Sequence, residues 1–186
     1  MLAKDALRRD VLARRDMLDP VARARAAESL AERGLPVAVP AGAVVSGFMP
    51  IRSEINPLPL MRRLAAAGAR LALPVVTGCG LALTFRAWAP GDELQRGQMG
   101  LREPAPDRPE LEPDIVLAPL AVFDRRGYRI GYGAGYYDMS LNALRAHRPT
   151  VALGLAYAMQ EVDAVPTEAH DARLDFVLTE HETIVI

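Results

Sequence analysis

The densest chemistry in this chain lies between Phe123 and Asp138, in the run Phe-Asp-Arg-Arg-Gly-Tyr-Arg-Ile-Gly-Tyr-Gly-Ala-Gly-Tyr-Tyr-Asp. Gly131, Gly133 and Gly135 alternate there, after a candidate strand and just before a candidate helix. Backbone free of side chains lets N–H groups approach an anion closely, and a helix N-terminus adds roughly half a positive charge. Arg125, Arg126 and Arg129 are near enough in sequence to neutralise that anion. Asp138 falls at or near the first helical turn, where a carboxylate can hold Mg²⁺ riding on phosphates. The spacing matches neither the Walker loop nor the complete dinucleotide fingerprint, so a plain glycine turn with Asp138 at a helix end stays open.

A second cationic feature sits at the start of the chain. Lys4 and Arg8 are one helical turn apart and face the same way. Like charges at that spacing cost an isolated helix about 0.2–0.5 kcal/mol, which a bound polyphosphate would reverse; Asp5 offers the alternative of a simple ion pair with Arg8 or Arg9. All 22 basic residues except Lys4 are arginine, so the surviving lysine is a candidate for a role that needs a compact point charge. Glu54, in the loop Met49-Pro50-Ile51-Arg52-Ser53-Glu54, follows a strand on the usual ligand side of a parallel sheet. His170-Asp171 with Asp175 places two carboxylates near a loop. Trp88 reads as core, and Cys79, between two glycines, as an incidental turn residue.

These groups need elements to position them. Residues 2–16 read as a basic amphipathic helix with Leu7 and Val11 on its apolar side. Asp19 and Pro20 start a second helix that runs to Arg33 and stops at Gly34. Residues 43–49 form a β-branched strand, and Asn56-Pro57 starts a third helix ending at Gly68. Residues 71–76 and 81–88 are strands about a Gly-Cys-Gly turn, 89–114 is an ordered surface excursion, and 114–120 is a buried strand. A helix to about His147 and strands at 150–156, 175–179 and 182–186 complete the chain. Continuous apolar strands alternating with helices predict one α/β domain over 1–186, with a largely parallel sheet covered on both faces.

Composition excludes several classes. A formal net charge of −1 argues against a nucleic-acid or membrane-surface binder. No apolar run approaches the ~20 residues of a membrane span, and the charged N-terminus lacks a signal-peptide core. The expectation is a cytoplasmic protein and, by default, a monomer. One cysteine allows no internal disulfide, and the 3 histidines have no zinc spacing.

Taken in order, Lys4-x-x-Leu7-Arg8, the loop ending at Glu54, Trp88–Pro104, Pro113–Asp138 and Gly154–Thr179 resemble the 5-formyltetrahydrofolate cyclo-ligase family over nearly the whole chain. The resemblance implies a three-layer α/β/α fold related to the sugar-phosphate isomerase and CoA-transferase group. It implies ATP contacts on Lys4, Asp5, Ala6, Leu7 and Arg8, and on Arg129, Ile130, Gly131, Tyr132, Gly133, Ala134, Gly135, Tyr136 and Tyr137. It further implies a reduced folate held by Met49, Glu54, Tyr132, Gly133, Ala134, Gly135 and Tyr136, Mg²⁺ on Asp138 and Asp171, and catalytic duties for Lys4, Arg129 and Tyr136. Ala134, Met139 and Pro57 depart from the family's pattern, and Ala134 removes a potential phosphate contact. An ATP-binding paralogue acting on another folate or amide, and a non-catalytic nucleotide-binding protein of the same fold, are the competing readings.

Overall fold

The computed structural model describes residues 2–186. Helix α1 covers Leu2–Asp16 and α2 covers Pro20–Arg33, where the Asp19 carboxylate accepts a 2.8 Å bond from the Val21 N–H as the expected N-cap. Strand β1 is Val44–Ser46. Helix α3, Leu58–Ala66, starts one residue past Pro57, with Asn56 Oδ1 accepting from the Leu58 N–H at 3.0 Å. Strands β2 (Arg70–Val75) and β3 (Thr84–Ala87) follow. The surface excursion is ordered by a ribbon of β4 (Gln95–Arg96) and β5 (Arg102–Glu103). After β6 (Ile115–Pro119) comes a second ribbon, β7 (Val122–Phe123) and β8 (Arg129–Ile130), which hydrophobic patterning did not separate from the glycine-rich segment. Helix α4 (Tyr136–Arg145) and strands β9 (Val151–Leu155), β10 (Phe176–Leu178) and β11 (Thr183–Val185) complete the described residues.

Seven strands form one sheet in the order β11-β10-β9-β6-β1-β2-β3. The five inner strands are parallel, whereas both edges, β3 and β11, are antiparallel. The edges differ because short turns, not helices, connect them to their neighbours, and only antiparallel strands can be joined so tightly. Successive strand residues alternate between two cores. Val45, Leu71, Leu73, Leu117 and Leu153 meet Leu30 of α2 and Leu60 and Met61 of α3. Val44, Ala72, Val116, Ala118 and Ala152 meet Leu141 and Leu144 of α4. The result is the three-layer α/β/α arrangement, with Trp88 buried in the first core.

Helix α1 belongs to neither face. Its Leu7, Val11 and Leu12 pack on Ala121, Val122 and Ile130 of the second ribbon, which lies beyond the C-terminal end of β6. That ribbon is held by buried polar groups. Gln160 Nε2 donates to the Leu120 and Ala121 carbonyls at 2.9 and 3.0 Å. Asp124, fully buried, accepts from the backbone N–H groups of Arg126, Tyr128 and Val165 and from the Arg126 guanidinium. Burial alone would raise the pKa of Asp124, but the bonds from Val165, Arg126 and Tyr128 outweigh it and hold the carboxyl below its ordinary value.

Asp124→Asn should therefore unfold the ribbon's turn, because an amide NH₂ would face donors that the carboxylate now satisfies. The expected loss is about 2–4 kcal/mol at pH 7, or roughly 10 °C in Tm. The depressed pKa makes this advantage complete above the ordinary aspartate value near 3.8 and lost as pH falls through the lower folded value. Urea titrations of both proteins at neutral and acid pH check it: a gap unchanged at pH 2 would assign the effect to something other than the charge.

Candidate active site

Parallel strands end on the same side, so their loops gather along one edge of the sheet. Phe48, Met49, Ile51 and Glu54 after β1, Pro74 and Val76 at the end of β2, and Pro119 of β6 line a cleft of about 740 Å³ there. Lys4, Asp5 and Arg8 of α1 close one wall, and Arg129 through Asp138, with Glu168, His170 and Asp171, close another. A shallower groove of about 440 Å³ beside α2, lined by residues including Leu18, Ala22 and Tyr157, gathers neither the glycine loop nor the strand ends.

The cations meet at the glycine loop. Arg8 Nε donates to the Gly131 carbonyl at 2.8 Å, and its Nη1 pairs with Asp5 at 2.7 Å. Gly133 has φ +102° and Gly135 φ +68°, conformations in which a Cβ is strained. Gly135 is the N-cap of α4 and supplies no side-chain bond, so the first N–H groups of the helix keep their donor capacity beside the cleft. Arg129, with only 3% of its side chain exposed, donates to Asp138 Oδ1 at 2.9 Å and to the Ala172 carbonyl at 2.5 Å. Burial lowers its pKa and the Asp138 charge opposes that; an arginine remains cationic regardless. Lys4 Nζ lies 2.8 Å from Asp171 Oδ2 and 3.5 Å from Glu168. Burial disfavours the Lys4 ammonium, but its bond and charge pairing with Asp171 and Glu168 outweigh that and raise its pKa.

The opposite wall centres on Glu54. Burial pushes its carboxyl pKa up, against bonds from the Ile51 N–H (2.8 Å) and Tyr132 and the charge of Arg15. Arg52, at φ +53°, makes the turn that folds Glu54 back on Ile51. Arg15 is buried to 1% exposure and makes no ion pair among the described residues. Its Nε donates to Ser53 Oγ and its Nη2 to the Tyr132 hydroxyl, both at 3.0 Å. Ser53 in turn donates to the Asp16 carboxylate. One guanidinium thus ties α1 to both the Glu54 loop and the glycine loop. A cleft with cations and open N–H groups at one end, and a buried carboxylate over apolar strand ends at the other, can seat a polyphosphate beside a hydrogen-bonding heterocycle.

Over residues 1–180 the chain matches the model of the 5-formyltetrahydrofolate cyclo-ligase family. The chain belongs to the 5-formyltetrahydrofolate cyclo-ligase family. It is 35% identical over 156 residues to the 5-formyltetrahydrofolate cyclo-ligase of Mycolicibacterium smegmatis, covering 77% of each chain. The enzyme of that name from Escherichia coli K12 is 33% identical over 140 residues, which cover 73% of this chain and 76% of the relative. The solved structure of 5,10-methenyltetrahydrofolate synthetase from Aquifex aeolicus superposes with a TM-score of 0.80 at 29% identity, covering all of this chain and 93% of the other.

Of the positions that the cyclo-ligase resemblance marks, Lys4, Asp5, Arg8, Met49, Glu54, Arg129 through Asp138 and Asp171 all line the one cleft. Ala6 and Leu7 do not: Ala6 is exposed and Leu7 packs on the ribbon, because neighbours on a helix point to different faces. Arg125 and Arg126 correct the expectation of three neutralising arginines. Arg125 pairs with Glu161 and Glu182 on the surface, and Arg126 pairs with Asp124, so the ribbon turn carries both away from the cleft. Asp175 likewise pairs with Arg145, apart from Asp171. Among the described residues no group of three or more His, Cys, Asp or Glu side chains could hold a metal ion. Sequence reasoning missed Arg15 and Glu168, since nothing in the local pattern distinguishes Arg15 from twenty other arginines.

Arg15→Met should test the tie between the walls. Removing the guanidinium leaves Tyr132 and Ser53 short of a donor and Glu54 short of an opposing charge. The expected stability loss is about 3 kcal/mol, with the Glu54 pKa moving further up in a carboxyl-carbon NMR titration. A Glu54 titration identical to wild type would show that Arg15 does not govern that carboxylate.

Proposed function

We propose that this chain cyclises 5-formyltetrahydrofolate to 5,10-methenyltetrahydrofolate with ATP, releasing ADP and phosphate. The observation that carries the reading is the single cleft joining Lys4, Arg8 and Arg129, the uncapped start of α4, and the buried Glu54. The formyl group on N5 is an amide, whose oxygen leaves poorly and whose carbon is a weak electrophile. Moving the γ-phosphoryl group onto that oxygen makes it a leaving group. N10 of the same folate then attacks the formyl carbon, the C–O bond breaks, and the N10 proton departs with the phosphate.

Such chemistry needs positioning and charge neutralisation rather than a covalent nucleophile. Lys4 and Arg129 neutralise phosphate oxygens, and the Gly131–Gly135 backbone and α4 N-terminus cradle them. Glu54 and Tyr136 orient the pterin, Glu54 by accepting from its N–H groups. Asp138 and Asp171 fit Mg²⁺ in its usual mode, in which one or two carboxylates combine with phosphate oxygens. Asp138 commits Oδ1 to Arg129 and the Ala172 N–H, and Asp171 commits Oδ2 to Lys4 and the Glu168 N–H. Each retains a second oxygen for a cation, which would supply further neutralisation of the phosphates. A cytosolic location suits an ATP-dependent reaction, and no helix among the described residues is long and apolar enough to cross a membrane.

Incubation with 5-formyltetrahydrofolate and Mg-ATP should produce the near-ultraviolet absorbance of the methenyl product. ATP hydrolysis without that absorbance would indicate a paralogue with another acceptor, and neither signal would indicate a binding protein.

Two substitutions separate the ends of the cleft. Lys4→Arg keeps the charge but spreads it over a longer planar group. It should cost roughly ten- to a hundredfold in kcat/KM for ATP, while thermal unfolding without ligand stays within about 1 kcal/mol of wild type. Full activity would remove Lys4 from the phosphate site. Glu54→Gln should instead raise the folate KM and leave the ATP KM nearly unchanged; an equal rise in both would make Glu54 architectural.

A further inference from the structure

The side chain of Tyr132 joins two parts of the cleft that the backbone keeps apart. It stands between Gly131 and Gly133 on the loop at the phosphate end, where Arg8 holds the Gly131 carbonyl at 2.8 Å. Its hydroxyl reaches across to the Glu54 wall, accepting from Arg15 Nη2 at 3.0 Å and bonding to the Glu54 carboxylate. Its ring centroid also lies 6.0 Å from the Arg15 guanidinium carbon. Arg15 and Glu54 are buried, but Tyr132 keeps 39% of its surface exposed on the cleft. The contact is therefore not a by-product of core packing.

The chemistry of the three groups fixes the direction of the bonds. A guanidinium has donors only, and a phenol has one proton. The Tyr132 oxygen must accept from Arg15, which leaves its proton for Glu54. Arg15 sets the same polarity on its other side, where Nε donates to Ser53 Oγ and Ser53 donates to Asp16. The second donor to Glu54 is the Ile51 N–H, 2.8 Å from Oε2. An ionised carboxylate has about four lone-pair positions, so acceptor capacity remains for the N–H groups of a ligand. Burial raises the Glu54 pKa against these two bonds and the Arg15 charge. The phenols of Tyr137 in α4 and Tyr157 after β9 are also in electrostatic reach. Burial raises the pKa of both, so they stay neutral, and Arg15 stays cationic. Of this set, Glu54 is the group that titrates on the acid side of neutrality. Its ionised form only accepts, whereas its neutral form turns one oxygen into a donor.

We infer that Tyr132 is a positioning residue for Glu54: its hydroxyl, oriented by Arg15, keeps the carboxylate an ionised acceptor for the pterin. This rests on the cyclo-ligase reading and gives the Tyr132 side chain a duty separate from that of the loop backbone. The loop that cradles phosphate thus also carries the donor that prepares the folate end. Glu54 accepts only when ionised, so folate affinity falls as pH drops through its folded pKa. Losing a donor to the ionised form raises that pKa further, and the fall then begins at higher pH.

The test is the pH dependence of the Kd for 5-formyltetrahydrofolate, by calorimetry, in wild type, Tyr132→Phe and Tyr132→Leu. The Glu54 carboxyl is followed by carbon NMR in each protein without ligand. Ionisation of the ligand is common to all three proteins and cancels in the comparison. Tyr132→Phe removes the hydroxyl and retains the ring. It is expected to move the Glu54 pKa, and the acid limb of folate binding with it, upward by about one pH unit. Tyr132→Leu should move both by the same amount, because the hydroxyl and not the ring is responsible. The differences in Kd should narrow toward alkaline pH, where Glu54 is ionised in every protein. An unshifted Glu54 titration, or a loss of affinity equal at every pH, would make Tyr132 a direct contact or a structural part of the loop and overturn the inference. A larger Glu54 shift in Tyr132→Leu than in Tyr132→Phe would assign the effect to the ring and overturn it as well. If wild type binds no folate at any pH, the cyclo-ligase reading fails, and the NMR titration still decides whether Tyr132 governs Glu54.

Discussion

The arrangement of this molecule depends on a buried positive charge. Arg129 is almost wholly removed from water, and an unpaired guanidinium there would cost several kcal/mol. Asp138 and the Ala172 carbonyl satisfy it together. In doing so they fix the second ribbon and the first turn of α4, neighbours in sequence, to the remote loop before β10. Asp138 also accepts from the Ala172 N–H at 3.0 Å, so the same carboxylate sets where Asp171 stands. Asp138 is therefore a structural counter-ion as well as the proposed cation ligand, and its two oxygens divide those duties. Removing its charge would disturb stability together with any metal.

Helix α1 shows how a weak element becomes part of a site. Its sequence is strongly charged, and among its described side chains Leu7, Val11 and Leu12 are the apolar ones packed against the ribbon. Long polar side chains complete the docking: Lys4 reaches Asp171, Arg8 reaches the Gly131 carbonyl, and Arg15 reaches Ser53 and Tyr132. These contacts span more than 30 residues in sequence, and those from Lys4 and Arg8 span more than 100. Charge is placed over the cleft by a helix whose attachment depends on the partners of that same charge. Anything that binds between Lys4 and Arg129 thus also stabilises the helix, by ordinary linkage.

The sheet contributes direction. Because the inner strands are parallel, the ends of β1, β2 and β6 deliver Glu54, Val76 and Pro119 to one edge. The two ribbons then extend that edge on either side. One carries Arg129 and the glycine loop, and the other carries Leu101 and Arg102. Each is fixed by a buried carboxylate that satisfies backbone N–H groups, Asp124 in one case and Glu103 in the other. The opposed electrostatics of Asp124 and Glu54 follow from this. Asp124 has enough donors to keep its charge against burial, whereas Glu54 has too few and its pKa rises.

Whatever depends on local pattern was legible in the sequence. Asp19-Pro20 and Gly34 bound α2, apolar runs became inner strands with ends shifted by at most three residues, the largest shift being at the end of β1, and alternating glycines marked a loop opening on a helix. The 3.6-residue period alone put Lys4 and Arg8 on one face, and the ordered motifs carried the family. What those patterns cannot encode is which charge finds which partner across the fold. Arg125, Arg126 and Arg129 are equivalent in sequence, yet a ribbon turn sends the first two to Glu161, Glu182 and Asp124 and only the third into the cleft. Asp171 joins Lys4 while nearby Asp175 leaves for Arg145. Arg15 became the bridge between both walls with no local signal at all. Periodicity and capping act over a few residues, whereas the partner of a buried charge is chosen by desolvation, which exists only once the tertiary structure has excluded water.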